Sequence, residues 1–110
     1  MIKVHVKQQN DEIVSITVTG HAGFAEHGED IVCAAVSALT TNTVNGIDRL
    51  ANFQPIVEVD QVEGGYLYVE MRTDISSEQF SIAQLLLKNL IYGLTDIETQ
   101  YPQFINIERT

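Results

Sequence analysis

Hydrophobic and polar residues alternate from the second position of the chain onwards, with Lys3, His5 and Lys7 interleaved between Ile2, Val4 and Val6. A period of two marks a half-buried strand. Asn10-Asp11 supplies a turn, and Val14, Ile16 and Val18 then alternate with Ser15, Thr17 and Thr19. This predicts an antiparallel hairpin ending at Gly20. From about Asp30 to Ala51 the period becomes helical, with Val32, Val36, Leu39, Ile47 and Leu50 near one face. Pro55 follows the helix exit, and two further strands over 56–60 and 66–71 are joined through Glu63-Gly64-Gly65. A second helix opens at Ser76, which has capping-box spacing to Gln79. Ile82, Leu85, Leu86, Leu90, Leu94 and Ile97 supply its apolar surface. Pro102 stops it, and 104–108 make a last short strand.

The order ββαββαβ predicts a two-layer α+β domain, a five-stranded mixed sheet with two helices covering one face. With no repeat and no linker, residues 1–110 read as one domain. The uncovered sheet face must be polar or meet a partner. The strands carrying Tyr66 and Tyr68, or the outer side of the second helix, are candidate surfaces for a homodimer.

Composition narrows the class of protein. A chain of 110 residues with 45% hydrophobic and 19% charged positions is ordinary globular usage and long enough to bury a core. No apolar run approaches the ~20 residues that span a bilayer, and the alternating N-terminus is no signal peptide. The net charge of −9 disfavours a nucleic-acid backbone as partner and favours a basic protein or peptide. One cysteine cannot form an internal disulfide, which suits a reducing cytoplasm.

That cysteine, Cys33, follows an acidic, glycine-containing loop with two of the three histidines and precedes a small-residue helix. If Asp30 is the cap, Cys33 falls near the third helical position, where free N–H groups and the dipole favour a thiolate. The amides of Cys33 and Ala34 are then candidate donors to an oxyanion. Ser37 follows one turn later on the same face. His21 closes the second strand twelve residues before Cys33 and is the better candidate base, because a base must be held within ~3 Å of its donor. His27 sits mid-loop between Glu26 and Gly28. Asp30 either caps the helix or orients His21. The acids Glu26, Glu29 and Asp30 would raise the thiol pKa, so activation needs a close His21–Cys33 pair. Gly20, Gly23 and Gly28 give the loop freedom, with Gly20 and Gly28 as its hinges. His21, His27 and Cys33 with Asp30 or Glu29 also form a conceivable zinc set, although at a spacing unlike any familiar module.

Gly20-His21-Ala22, Gly28, and Asp30-Ile31-Val32-Cys33-Ala34 with Ser37 resemble the signature of the ribosomal-processing cysteine protease family. Chain length and element order fit along the whole sequence. The resemblance implies a cytoplasmic, homodimeric bacterial endopeptidase that needs no cofactor. It would remove a short N-terminal extension from ribosomal protein number twenty-seven of the large subunit before ribosome assembly. On the matching positions Cys33 is the nucleophile and His21 the general base, with Asp30 and Ser37 in support. A non-catalytic module that binds a ribosomal protein, and a zinc-dependent hydrolase using the same loop, are the alternatives from other classes.

Overall fold

The computed structural model describes residues 1–20, 27–60 and 65–110, the first four residues of the first helix by their backbone alone. The hairpin pairs β1 (Ile2–Gln9) with β2 (Glu12–Thr19). Gln9 opposes Glu12, and Asn10 and Asp11 between them both take positive φ, 53° and 65°, as a two-residue hairpin of matching twist requires. One detail departs from the simple alternation. The register shifts between Lys7 and Gln8, so Val14 is an extra residue in β2. That bulge turns Ile13, not Val14, onto the core face with Ile16 and Val18.

The helix α1 (His27–Gly46) widens at its end into a π-helical turn, Ile47–Ala51, closed by Asn52 in the left-handed region. Val32, Val36 and Ile47 are in the core, whereas Leu50 faces solvent. The polar residues Thr40 and Thr43 are buried beside them because each hydroxyl donates back to a carbonyl four residues earlier, Val36 and Leu39, at 2.9 and 2.8 Å.

Two antiparallel strands follow, β3 (Ile56–Val59) and β4 (Tyr66–Glu70), then α2 (Ser77–Gln100) and β5 (Ile105–Arg109). The capping box is formed in full: Ser76 Oγ accepts from the Gln79 amide, and Gln79 Oε1 accepts from the Ser76 amide. Gln79 Nε2 also donates to the carbonyls of Ala51 and Asn52, tying the start of α2 to the end of the π-turn. The core stripe of α2 is Ala83, Leu87, Leu90, Ile91 and Leu94. Leu85, expected in that stripe, is 69% exposed.

The sheet order is β3-β4-β2-β1-β5, antiparallel except for the parallel β1–β5 pair, so it is mixed and five-stranded. The face away from the core is polar, with Glu58, Tyr68, Thr17, His5 and Glu108 in one cross-strand row. His5 meets Thr110 Oγ1 there at 2.8 Å, and Tyr68 donates to Glu70, a bond that raises the tyrosine pKa above its ordinary value. Among the described residues no helix is long and apolar enough to cross a membrane.

Gln84 joins the two layers from inside. β4 leaves β2 after Met71, and beyond it the Gln84 side-chain amide continues the ladder, accepting from Ile13 N–H and donating to Ile13 C=O, both at 2.8 Å. Gln84 is 6% exposed, so its truncation strands two backbone groups away from water. Gln84→Ala is expected to cost about 2–4 kcal/mol of stability, read from urea unfolding.

Candidate active site

Rotation of α1 about its axis decides where its chemistry points. With Val32 and Val36 turned into the core, Cys33 and Ser37 lie about 100° further round and open onto a cleft of about 250 Å³. Cys33 is half-buried and Ser37 exposed, one turn apart on the same cleft wall. Thr40 and Thr41 continue that wall. The opposite side is made by Val59, Tyr66 and Leu67 from β3 and β4, and the end by Val18, Gly20 and Gly65. Cys33 also packs against the hydrophobic core, so its position is held by the same contacts that seat the helix.

Gly20, a hinge candidate from the sequence, takes a conformation that glycine alone adopts easily. Its φ is +90°, its N–H donates to the Gly65 carbonyl at 2.9 Å, and a Cβ placed there would stand 2.3 Å from the Met1 carbonyl oxygen. Neither the angle nor the space suits a side chain. Gly20 is thus the anchored end of the segment that begins with His21. Gly28, the second expected hinge, lies in the first turn of α1.

The helix entrance differs from the expected one as well. Because α1 starts at His27, Asp30 is its fourth residue and not its N-cap, and Cys33 is its seventh. The amides of Cys33 and Ala34 therefore belong to the hydrogen-bonded body of the helix, beyond the free donors of the first turn. This removes the basis for assigning them to an oxyanion. The dipole also acts mainly within the first turn, so it does less for a thiol at the seventh position. His21, Gly23 and Glu26 lie outside the described residues, as do the side chains of His27, Glu29 and Asp30, so the pairing of His21 with Cys33 and the conceivable zinc set fall there too.

Sequence reasoning missed Thr40, Thr41, Val59, Tyr66 and Leu67 as cleft residues. The first two carried a signal: spacings of seven and eight from Cys33 place them on its helical face. The strand residues carried none, because their approach to α1 depends on the sheet order.

The profile of the cysteine protease Prp family matches residues 1–106. A ribosomal processing cysteine protease Prp from Bacillus subtilis is 38% identical over 108 residues, covering 97% of this chain and 96% of its own length. The crystal structure of an essential ribosomal processing protease Prp from S. aureus, in complex with a covalently linked product peptide, superposes with a TM-score of 0.85 at 29% identity, covering both chains in full. A second structure of that protease, with a substrate peptide, gives 0.86 at 28% identity, again over both chains in full. Fold and family profile together define a cysteine protease. The chain belongs to the Prp family, whose curated relatives are ribosomal processing cysteine proteases.

The structure makes Gly20 a sensitive position next to the predicted base. Gly20→Ala is expected to lower the thermal midpoint and to reduce peptide cleavage at least tenfold at temperatures where the variant remains folded by circular dichroism.

Proposed function

We propose that this protein is the endopeptidase that trims the N-terminal extension of ribosomal protein number twenty-seven of the large subunit, using a Cys33–His21 pair. The observation that carries the reading is the placement of Cys33 and Ser37 side by side in a cleft whose end is formed by Gly20, the residue before His21. The curated names of the relatives support ribosomal processing, and the net charge of −9 suits a basic ribosomal protein as substrate. The whole 110-residue chain acts as one catalytic domain, in the cytoplasm and as a homodimer. It uses neither metal nor cofactor and does not bind nucleic acid directly.

In this mechanism His21 takes the thiol proton and the Cys33 sulfur attacks the scissile carbonyl. Protonated His21 then delivers its proton to the departing amine, and water hydrolyses the acyl-enzyme. Activation rests on the imidazole, since a seventh-position thiol gains little from the helix end. Asp30 supports the site by orienting His21. With the Cys33 and Ala34 amides engaged in the helix, the Ser37 hydroxyl, one turn from Cys33 on the cleft wall, is assigned as a donor to the oxyanion.

Cys33→Ala and His21→Ala should each abolish nearly all cleavage, because nucleophile and base work as a unit. The check is incubation with the extended ribosomal protein and weighing of the products by mass spectrometry; a shortened protein in the Cys33→Ala reaction would sink the proposal. Ser37→Ala is expected to lower kcat by roughly 100–1000-fold with little change in KM, as loss of one oxyanion donor does. An unchanged kcat would remove Ser37 from that role.

A further inference from the structure

A separate hollow lies at the other end of the sheet from Cys33. Ile2 lines the cleft, whereas Gln8, near the opposite end of β1, lines this hollow of about 160 Å³. At ~3.3 Å per strand residue the two positions are roughly 20 Å apart. The walls are Gln8 and Ile13 from the hairpin, Lys88, Ile91 and Tyr92 from α2, and Arg109 from β5. Among the described residues no carboxylate lines it.

Strand register builds this corner. β1 faces the helices through Ile2, Val4 and Val6, all buried, and the same alternating series ends in Gln8, opposite Ile13. β5 faces them through Ile105 and Ile107, and Arg109 stands beside Val6 on that same face. The inward rows of two neighbouring strands thus turn from aliphatic to polar at one end. Above them, Lys88 and Tyr92 lie one turn apart on α2, both exposed. The floor is firm, because Gln84 holds both backbone groups of Ile13. The chain has fifteen acidic side chains and six basic ones, yet two cations meet here from separate elements. Among the described residues neither Lys88 nor Arg109 has an ion-pair partner. Like charges gathered around a hollow favour an anion between them.

We propose that this corner is a binding site for a small dianion, a phosphate group held by Lys88 and Arg109. The planar guanidinium donates in a fork that matches phosphate oxygens, and the ammonium adds a compact second charge. Two positive charges call for two negative ones, which a phosphate monoester carries near neutral pH and a single carboxylate does not. Gln8 adds an amide donor, while Ile13, Ile91 and the Tyr92 ring receive the organic part of an ester. The net charge of −9 opposes a polyanion such as RNA, so the ligand is a small free molecule. The site stands apart from the thiol and does not depend on the protease reading of Cys33.

The test titrates the full-length protein with inorganic phosphate and with phenyl phosphate at about pH 7.5, where both are largely dianionic. Binding is followed by heteronuclear NMR at an ionic strength held constant with sodium chloride. Saturable shifts are expected at the amides of Gln8, Ile13, Ile91 and Tyr92, and none at Thr40 and Thr41 beside Cys33. This wild-type map is independent of whether any variant folds. Lys88→Gln and Arg109→Gln should each weaken binding at least tenfold with the rest of the spectrum unchanged. Lys3→Gln, on the outer sheet face, should keep the wild-type affinity. Tighter binding of phenyl phosphate assigns the site to a phosphate ester; equal or weaker binding assigns it to the free ion, and either result supports the proposal. Absence of saturable shifts at millimolar phosphate, or an unchanged affinity in either glutamine variant, would overturn it. Tighter binding of a short single-stranded RNA at the same amides would overturn it too, since the ligand would then be a polyanion. If α2 of a second copy closes the hollow, phosphate produces no shift there and the proposal fails.

Discussion

The seating of α1 on the sheet through Val32, Val36 and Ile47 is the constraint from which the site follows. Each such side chain is worth roughly 1.5–3 kcal/mol when fully buried, so together they hold the helix at one rotation. At that rotation the residues directly after two of them, Cys33 and Ser37, face the cleft. A slip of one residue that placed the thiol in the core would leave Ala34 and Ala38 facing the cleft. Hydrophobic packing aims the chemistry here, and the threonines below the cysteine help by satisfying their own hydroxyls within the helix.

The sheet order supplies the second half of the site. β5 joins β1 on one side and the β3–β4 hairpin extends the other, so the two helices pack over the middle of a five-stranded sheet. The helices leave β3 uncovered on its inner face, and this gives the cleft at Cys33 its long apolar continuation. The same arrangement brings Gly65, before β4, onto Gly20, after β2, with a hydrogen bond closing the end of the cleft. Stability is taken from elsewhere: Gln84 extends the sheet where β4 departs, and Gln79 locks the start of α2 to the π-turn.

The elements and their order follow from local pattern alone, since strand alternation, the Asn10-Asp11 turn and the Ser76–Gln79 capping box are short-range features. Cys33, Ser37 and the glycine at position 20 likewise stand out in the linear sequence, and the family resemblance is carried by those residues. Local pattern failed where a neighbour in space overruled it. The bulge at Val14 exchanged which residue of β2 is buried, and Leu50 and Leu85 turned to solvent because the core had no place for them. The helix start moved to His27, which changed Asp30 from a cap to an interior position and placed the Cys33 amide beyond the free donors of the first turn.

By itself, then, the sequence determined the element types and the two-layer class, because each depends on residues within a few positions of one another. Only the tertiary structure decided what faces the thiol. Val59, Tyr66 and Leu67 lie more than twenty residues away along the chain and reach Cys33 only through strand pairing. The continuation of the cleft along Val57 and Val59 likewise depends on β3 standing at the edge of the sheet. A side chain's place on its own helix is a matter of period; the wall across from it is a matter of topology.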